Sequence, residues 1–291
     1  MVLAGVLLGL LGAVLLQREG MHMPEPTPTV TATPTAEPSP VPPSPTPVPT
    51  PEADPAVTAA LDAFLRDRPG RWSLYFAPLP EGEPVYRAAD RNPMVSASLI
   101  KLFIMGAVYE QTERGALDHE TVYPLLYDMI TVSDNAAANE LIRLLGGGEA
   151  ETGMGLVNDW CFRQGYLETR LNRLMLEENG LQNYTTAQDC GELLSAIYRG
   201  GCVSPAASEE MLSMLLQQTV NDRLPAGLPA GTPVAHKTGE LIGLCWADAG
   251  IVYSPGGTYL LCLISDGTAG EGEAKTAMAD LSRQIYEIMN P

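Results

Sequence analysis

The sequence predicts one α+β domain over residues 56–291, preceded by two segments that cannot join its core. Three observations carry that prediction. β-type runs stand at both ends of the stretch, a helical middle separates them, and at Ala56 the composition shifts from proline-dominated to that of a folded protein. About 236 residues then remain, enough to bury a sizeable core.

The first segment, 1–20, reads as an N-terminal signal or membrane anchor. Residues 2–16 form an apolar run without a charge, closed by Gln17-Arg18-Glu19. Such a run is shorter than the ~20 residues a spanning helix needs and suits the apolar core of a secretory signal. No Ala-x-Ala cleavage site follows and no lysine or arginine precedes the run, so an uncleaved anchor is the first reading and a cleaved signal the second. Either sends the remainder out of the cytoplasm. The second segment, 21–55, is a Pro/Thr-rich linker: residues 24–55 hold 13 of the 25 prolines. With few donors and little to bury it stays disordered and extended, and at ~3.1 Å per residue it spans on the order of 100 Å as a spacer.

Within the domain, Val57, Leu61, Phe64 and Leu65 recur at helical spacing and Pro69-Gly70 stops them, which predicts a helix over 55–68. Residues 72–79 and 85–88 read as a strand pair across Pro80-Glu81-Gly82. The middle predicts helices over 98–113, 133–145, 149–162, 186–198 and 205–216. β-type runs follow at 233–238, 245–253 and 259–265, the last two joined across Ser254-Pro255-Gly256-Gly257 as a hairpin. A helix over 272–288 ends the chain.

Charge and cysteine usage exclude several roles. A net charge of −18 argues against nucleic acid and anionic membrane surfaces as partners of the domain. Five cysteines lie apart without a C-x-x-C, and three histidines are scattered, so no metal site assembles from these spacings. An odd count outside the cytoplasm leaves at least one thiol free or intermolecular. Cys190 with Cys202 is a candidate bridge, against the plainer expectation that all five are buried small residues.

Chemistry gathers at Ser98-Leu99-Ile100-Lys101. A serine and a lysine three apart at a helix start share a face, so the amine can reach the hydroxyl and take its proton. Alone, the pattern equally describes a capping serine and a solvated lysine. It has company: Ser133-Asp134-Asn135 lies 35 residues downstream and Lys237-Thr238-Gly239 another 104 further on. In the order S-x-x-K, S-D-N, K-T-G, the chain resembles the class A β-lactamase and penicillin-binding-protein-like family of serine hydrolases, over residues 56 to 291.

That resemblance implies a five-stranded antiparallel sheet flanked by helices beside an all-α lobe, with the active site in the cleft between them. It implies Ser98 as nucleophile, Lys101 as the group that removes its proton, and Ser133 as relay to the leaving nitrogen beside Lys237. Asn135 would bond the substrate side-chain amide and Lys101, while Lys237 and Thr238 receive the substrate carboxylate. The backbone N–H groups of Ser98 and Glu240 would hold the oxyanion, and Gly239 would let the strand edge approach the substrate. The implied substrate is a small β-lactam or a cell-wall peptide. No cofactor is called for, and the implied setting is the bacterial cell envelope, as a monomer.

Three departures from the family pattern stand out. The Ser98–Ser133 separation is short, which implies a cleft missing one wall. The glutamate that activates the deacylating water has two candidates. Glu168-Thr169-Arg170-Leu171-Asn172 reads as the family's E-x-x-L-N, but Gly165 through Arg173 also matches the segment preceding the loop that bears this glutamate. The second register is the one adopted: a short loop then runs over 173–184, and Glu177, with Glu178 beside it, is the nearest carboxylate and is assigned as the base; Glu168 and a site with no dedicated base are the alternatives. Finally, no arginine follows in 245–250, and Arg223 stands where other members supply a carboxylate-binding arginine, against the plainer reading of a surface charge. Glu240 is unusual after K-T-G and would discourage anionic substrates if it faced the cleft. His236 alternates away from the cleft toward core or solvent, and Arg173 is expected to tie down its own loop.

Overall fold

The computed structural model describes residues 54–66, 68–80, 84–88, 93–267 and 270–291. The anchor and linker expected over 1–20 and 21–55 therefore lie outside the described residues, apart from the last two positions of the linker. Helix α1 (Pro55–Arg66) leads into β1 (Arg71–Leu79) and β2 (Val85–Ala88). A short strand β3 (Met94–Val95) and a 3-10 turn (Ala97–Leu99) precede α2 (Ile100–Glu113), α3 (His119–Thr131), α4 (Asn135–Leu145) and α5 (Ala150–Gln164). After β4 (Tyr184–Thr185) come α6 (Ala187–Tyr198), α7 (Pro205–Leu215), β5 (Val234–Leu241), β6 (Cys245–Ser254), β7 (Gly257–Asp266) and α8 (Glu271–Met289).

Strands β2-β1-β7-β6-β5 form one antiparallel five-stranded sheet in that order, and β3 pairs with β4 in a separate ribbon. The sheet strands read as nearly continuous apolar runs because both faces are covered. Period-two alternation divides them cleanly. Tyr259, Leu261 and Leu263 of β7 pack with Leu61 and Phe64 of α1 and Met278, Leu281 and Ile285 of α8. Leu260, Cys262 and Ile264 point the other way, into the core shared with the helical lobe. At the centre of that lobe α2 is buried continuously from Ile100 to Tyr109, as expected of a helix apolar all round. Gly106 permits its crossing with α5, since a Cβ there would strike the Trp160 ring.

Helix α3, the two-residue strands β3 and β4, and the cysteine pairing differ from expectation. Helix α3 is absent from the sequence reading because Pro124 sits inside it, where proline costs ~3 kcal/mol. Burial of Val122, Leu126, Met129 and Ile130, and an Asp118 cap that accepts from Thr121 N at 3.0 Å, offset that cost. The Cys190–Cys202 bridge is not formed, and all five cysteines are free and buried. Cys190 lies in the first turn of α6 while Cys202 follows its C-terminus. About eight helical residues, ~12 Å of helix axis, lie between Cys190 and the end of α6, so the following turn would have to run well back along the helix to bring Cys202 within the ~7 Å a disulfide spans.

Candidate active site

Ser98 lies in the 3-10 turn that feeds α2, at the junction of the lobe and strand β5. Ala97 before it is held at φ 43°, a left-handed conformation that costs a side-chain-bearing residue ~1–2 kcal/mol. The turn is pinned by Ser96 N donating to Asn183 O at 2.8 Å and Leu99 N to Ser96 O at 3.0 Å. Strand β5 packs directly on it: a Cβ at Gly239 would lie 3.1 Å from Ser96 O and 3.3 Å from Leu99 N. The missing side chain of Gly239 thus lets β5 lie directly against the nucleophile turn.

Lys101 is fully buried. Its Nζ donates to Ser133 O at 2.6 Å, Ser133 Oγ at 3.2 Å and Asn135 Oδ1 at 2.8 Å. Ser133 is also held left-handed, at φ 60°, and this bend turns both of its oxygens onto the amine. Burial disfavours the ammonium and lowers the Lys101 pKa to about 8, opposed by the nearby charge of Asp134. Asp134 caps α4, accepting from Ala137 N at 2.7 Å, and thereby sets Asn135 at the helix start. An ammonium here uses three donors on three acceptors. The neutral amine has two donors and a lone pair, which is what a base for Ser98 requires.

Lys237 projects from β5 to the same place. Fully buried, it donates to Ser133 Oγ at 2.9 Å and Thr238 O at 2.9 Å. Burial, and then the like charge of Lys101, push its pKa well below that of an ordinary lysine, against the pull of Asp248. Ser133 Oγ thus accepts from two amines, and its own proton is left to point elsewhere. Among the described residues Ser98 Oγ is left without a hydrogen bond, open to the cleft.

The cleft has two halves meeting at Ser98. The strand half, about 470 Å³, is lined by Ser98, Ser133, Asn135, Thr238 and Glu240, with Val132, Leu176, Val220 and Ile242 around them. The loop half is lined by Asn135, Arg173, Leu174, Met175, Leu176, Gln182 and Asn183, and again by Ser98 and Glu240.

Neither candidate glutamate reaches this cleft, and the Glu177 assignment is corrected on that ground. Glu177 is exposed and turns back on its own loop, where its Oε2 accepts from Leu174 N at 3.2 Å. Glu168 lines a separate cavity with Asp189 and Glu192. The loop is stitched by its own side chains: Asn183 Oδ1 accepts from Asn172 N at 2.7 Å and Arg173 N at 3.0 Å, and Arg173 bonds Gln182 and the Glu177 carbonyl. Asn139 clamps its apex, donating to Met175 O at 3.1 Å and accepting from Met175 N at 2.7 Å. The residues of this stretch that line the Ser98 cleft are Arg173, Leu174, Met175 and Leu176, with no carboxylate among them. Sequence reading missed Asn139, although its spacing of four from Asn135 puts both on one face of α4.

Arg223 is fully buried rather than a surface charge. It does not present a free guanidinium to the cleft: Nη2 donates to Glu240 Oε2 at 2.6 Å and Nη1 to Asp222 Oδ1 at 2.9 Å. Glu240 lines both halves of the cleft and carries this pairing. His236 faces away and is buried, with Nδ1 at 2.9 Å from Asp248 Oδ1 and Nε2 at 3.1 Å from Asn221 Oδ1.

Comparison with known proteins identifies the family and the fold. The sequence model of the Beta-lactamase enzyme family matches residues 56–125 and 120–289. A β-lactamase of Streptomyces lavendulae is 29% identical over 238 residues, covering 69% of this chain and 75% of that protein. β-Lactamase FAR-1 of Nocardia farcinica is 27% identical over 179 residues, and there the chain spans 55% of its relative's length. The solved structure of PBP-A shares the fold with a TM-score of 0.71 and 24% identity, covering 84% of this chain and 98% of that one. The chain belongs to the β-lactamase enzyme family.

Proposed function

We propose that the domain is a serine acyl-transfer enzyme that opens β-lactam rings through an acyl-enzyme at Ser98. The observation that carries this reading is the single hydroxyl of Ser133 shared by two buried amines, Lys101 and Lys237, at the cleft where Ser98 Oγ stands open. The neutral Lys101 amine takes the Ser98 proton as Oγ bonds the carbonyl carbon. The oxyanion is held by the N–H groups of Ser98 and Glu240. The C–N bond then breaks, the nitrogen takes the Ser133 proton, and the proton on Lys101 restores Ser133. Asn135 and Thr238 offer polar contacts to the substrate on either side. Water finally cleaves the ester.

A second reading concerns that last step. Among the described residues no carboxylate of the loop lines the cleft, and Met175 and Leu176 stand there instead. This favours slow hydrolysis of the acyl-enzyme, as in a penicillin-binding or cell-wall peptidase role, since an unactivated water is a poor nucleophile. A mutant of PBP-A has been solved as an acyl-enzyme complex with penicillin G. We further propose, from the apolar run at 2–16 and the proline-rich stretch after it, that the domain works outside the cytoplasm on a tether.

The test is to incubate the protein with a chromogenic cephalosporin while following product and intact mass. Sustained turnover that is lost in Ser98→Ala supports a β-lactamase. One stoichiometric burst with a persistent adduct supports the slow-release reading. No adduct at all overturns both.

A further inference from the structure

The residue that follows the K-T-G motif carries a charge into the cleft, and its surroundings decide what that charge does. In the strand half of the cleft Glu240 alone among the lining residues bears a formal charge. The two amines nearest this side, Lys101 and Lys237, are fully buried and absent from its lining, Lys101 donating to three protein oxygens and Lys237 to two. On this side a third cation, Arg223, is fully buried and paired with Glu240. Around it lies a cluster in which two cations, Arg223 and Lys275, meet three carboxylates, Asp222, Glu240 and Glu271. The cations face inward, 0% and 18% exposed, with Trp246 packed between them. The carboxylates face outward, 45%, 51% and 57% exposed. The outward face is therefore net negative, and the Glu240 carboxylate occupies the guanidinium that a substrate carboxylate would need.

We infer that Glu240 is a specificity-determining residue: it acts as a built-in carboxylate on Arg223 and selects for substrates whose group next to the scissile amide is uncharged or cationic. A free acid entering the strand half meets a half-exposed negative charge and finds no unpaired cation there. It must displace Glu240 from Arg223 to bind, whereas an ester or amide of the same substrate need not.

This inference rests on the reading of Ser98 as nucleophile, so its test includes a readout that does not need acylation. Penicillin G and its methyl ester serve as probes with the full chain. The ester should acylate the wild-type protein about tenfold faster than the free acid, and this preference should narrow as salt is raised. In Glu240→Gln the ratio of acid to ester should rise about tenfold, while Glu240→Asp should keep the wild-type ratio. Equal rates in the wild type at low salt, or a ratio unmoved in Glu240→Gln, would overturn the inference. If neither probe acylates, the proposed function falls, and equilibrium binding of the two probes to Ser98→Ala decides this point separately. Tighter binding of the ester sustains it, and equal or tighter binding of the acid sinks it. Salt dependence in the wild-type protein keeps the test valid should a variant fold poorly.

Discussion

The two walls of the cleft are built in opposite ways. On the strand side Lys101, Ser133, Asn135 and Lys237 arrive from a helix start, a helix cap and a sheet strand, their polar atoms meet within 2.6 to 3.2 Å, and Ser98 lines the same cleft. On the loop side residues 171–183 have no regular structure, and their position is set by side-chain bonds from Asn139, Asn172, Arg173 and Asn183. On the proposed function the first wall carries the groups that acylate. Among the described residues the second lines the cleft with no carboxylate of the loop, and Met175 and Leu176 stand there. Acylation and deacylation would then rest on different elements and should respond separately to mutation.

The sharpest break is Ser98→Ala, which should abolish the covalent adduct with any β-lactam, read by intact mass. Next, Lys101→Met should slow adduct formation by about 10²- to 10⁴-fold. Because burial lowers the Lys101 pKa to about 8, the amine gains base form as pH rises, so the wild-type acylation rate should climb from neutral pH and level off above about 8. The variant should lose that limb in a pH series. A smaller change is expected on the other wall. Met175→Glu would put a carboxylate beside Ser98 on a clamped backbone, and the adduct should then decay on the order of tenfold faster, measured by loss of adduct mass after removing free drug.

Smaller still is Asn139→Ala, which removes both bonds to Met175 and should lower stability by about 1–2 kcal/mol in a denaturant titration. The smallest effect belongs to Glu177→Gln. That residue is exposed outside the cleft, so the change should stay within about 0.5 kcal/mol and leave the decay rate of the adduct unmoved. A tenfold loss of decay rate there would restore Glu177 as the base and erase the contrast between the walls.

What the chain determined by itself was whatever depends on short-range pattern. Apolar periodicity marked the sheet strands and most helices. S-x-x-K marked a shared helix face, S-D-N the start of a helix, and K-T-G the end of a strand. Helix α3 escaped because Pro124 contradicts local propensity, and only burial in the lobe offsets it. The tertiary structure alone decided the rest. Two registers of the loop were legible in sequence and the favoured one pointed to Glu177, but the clamp from Asn139, 36 residues away, selects Met175 and Glu177 turns outward. Arg223 and Glu240 carry no pattern linking them, and their pairing across 17 residues exists only because burial leaves the guanidinium no water to bond. Local spacing encodes which groups can share a face, whereas long-range packing settles which charges are left facing the cleft.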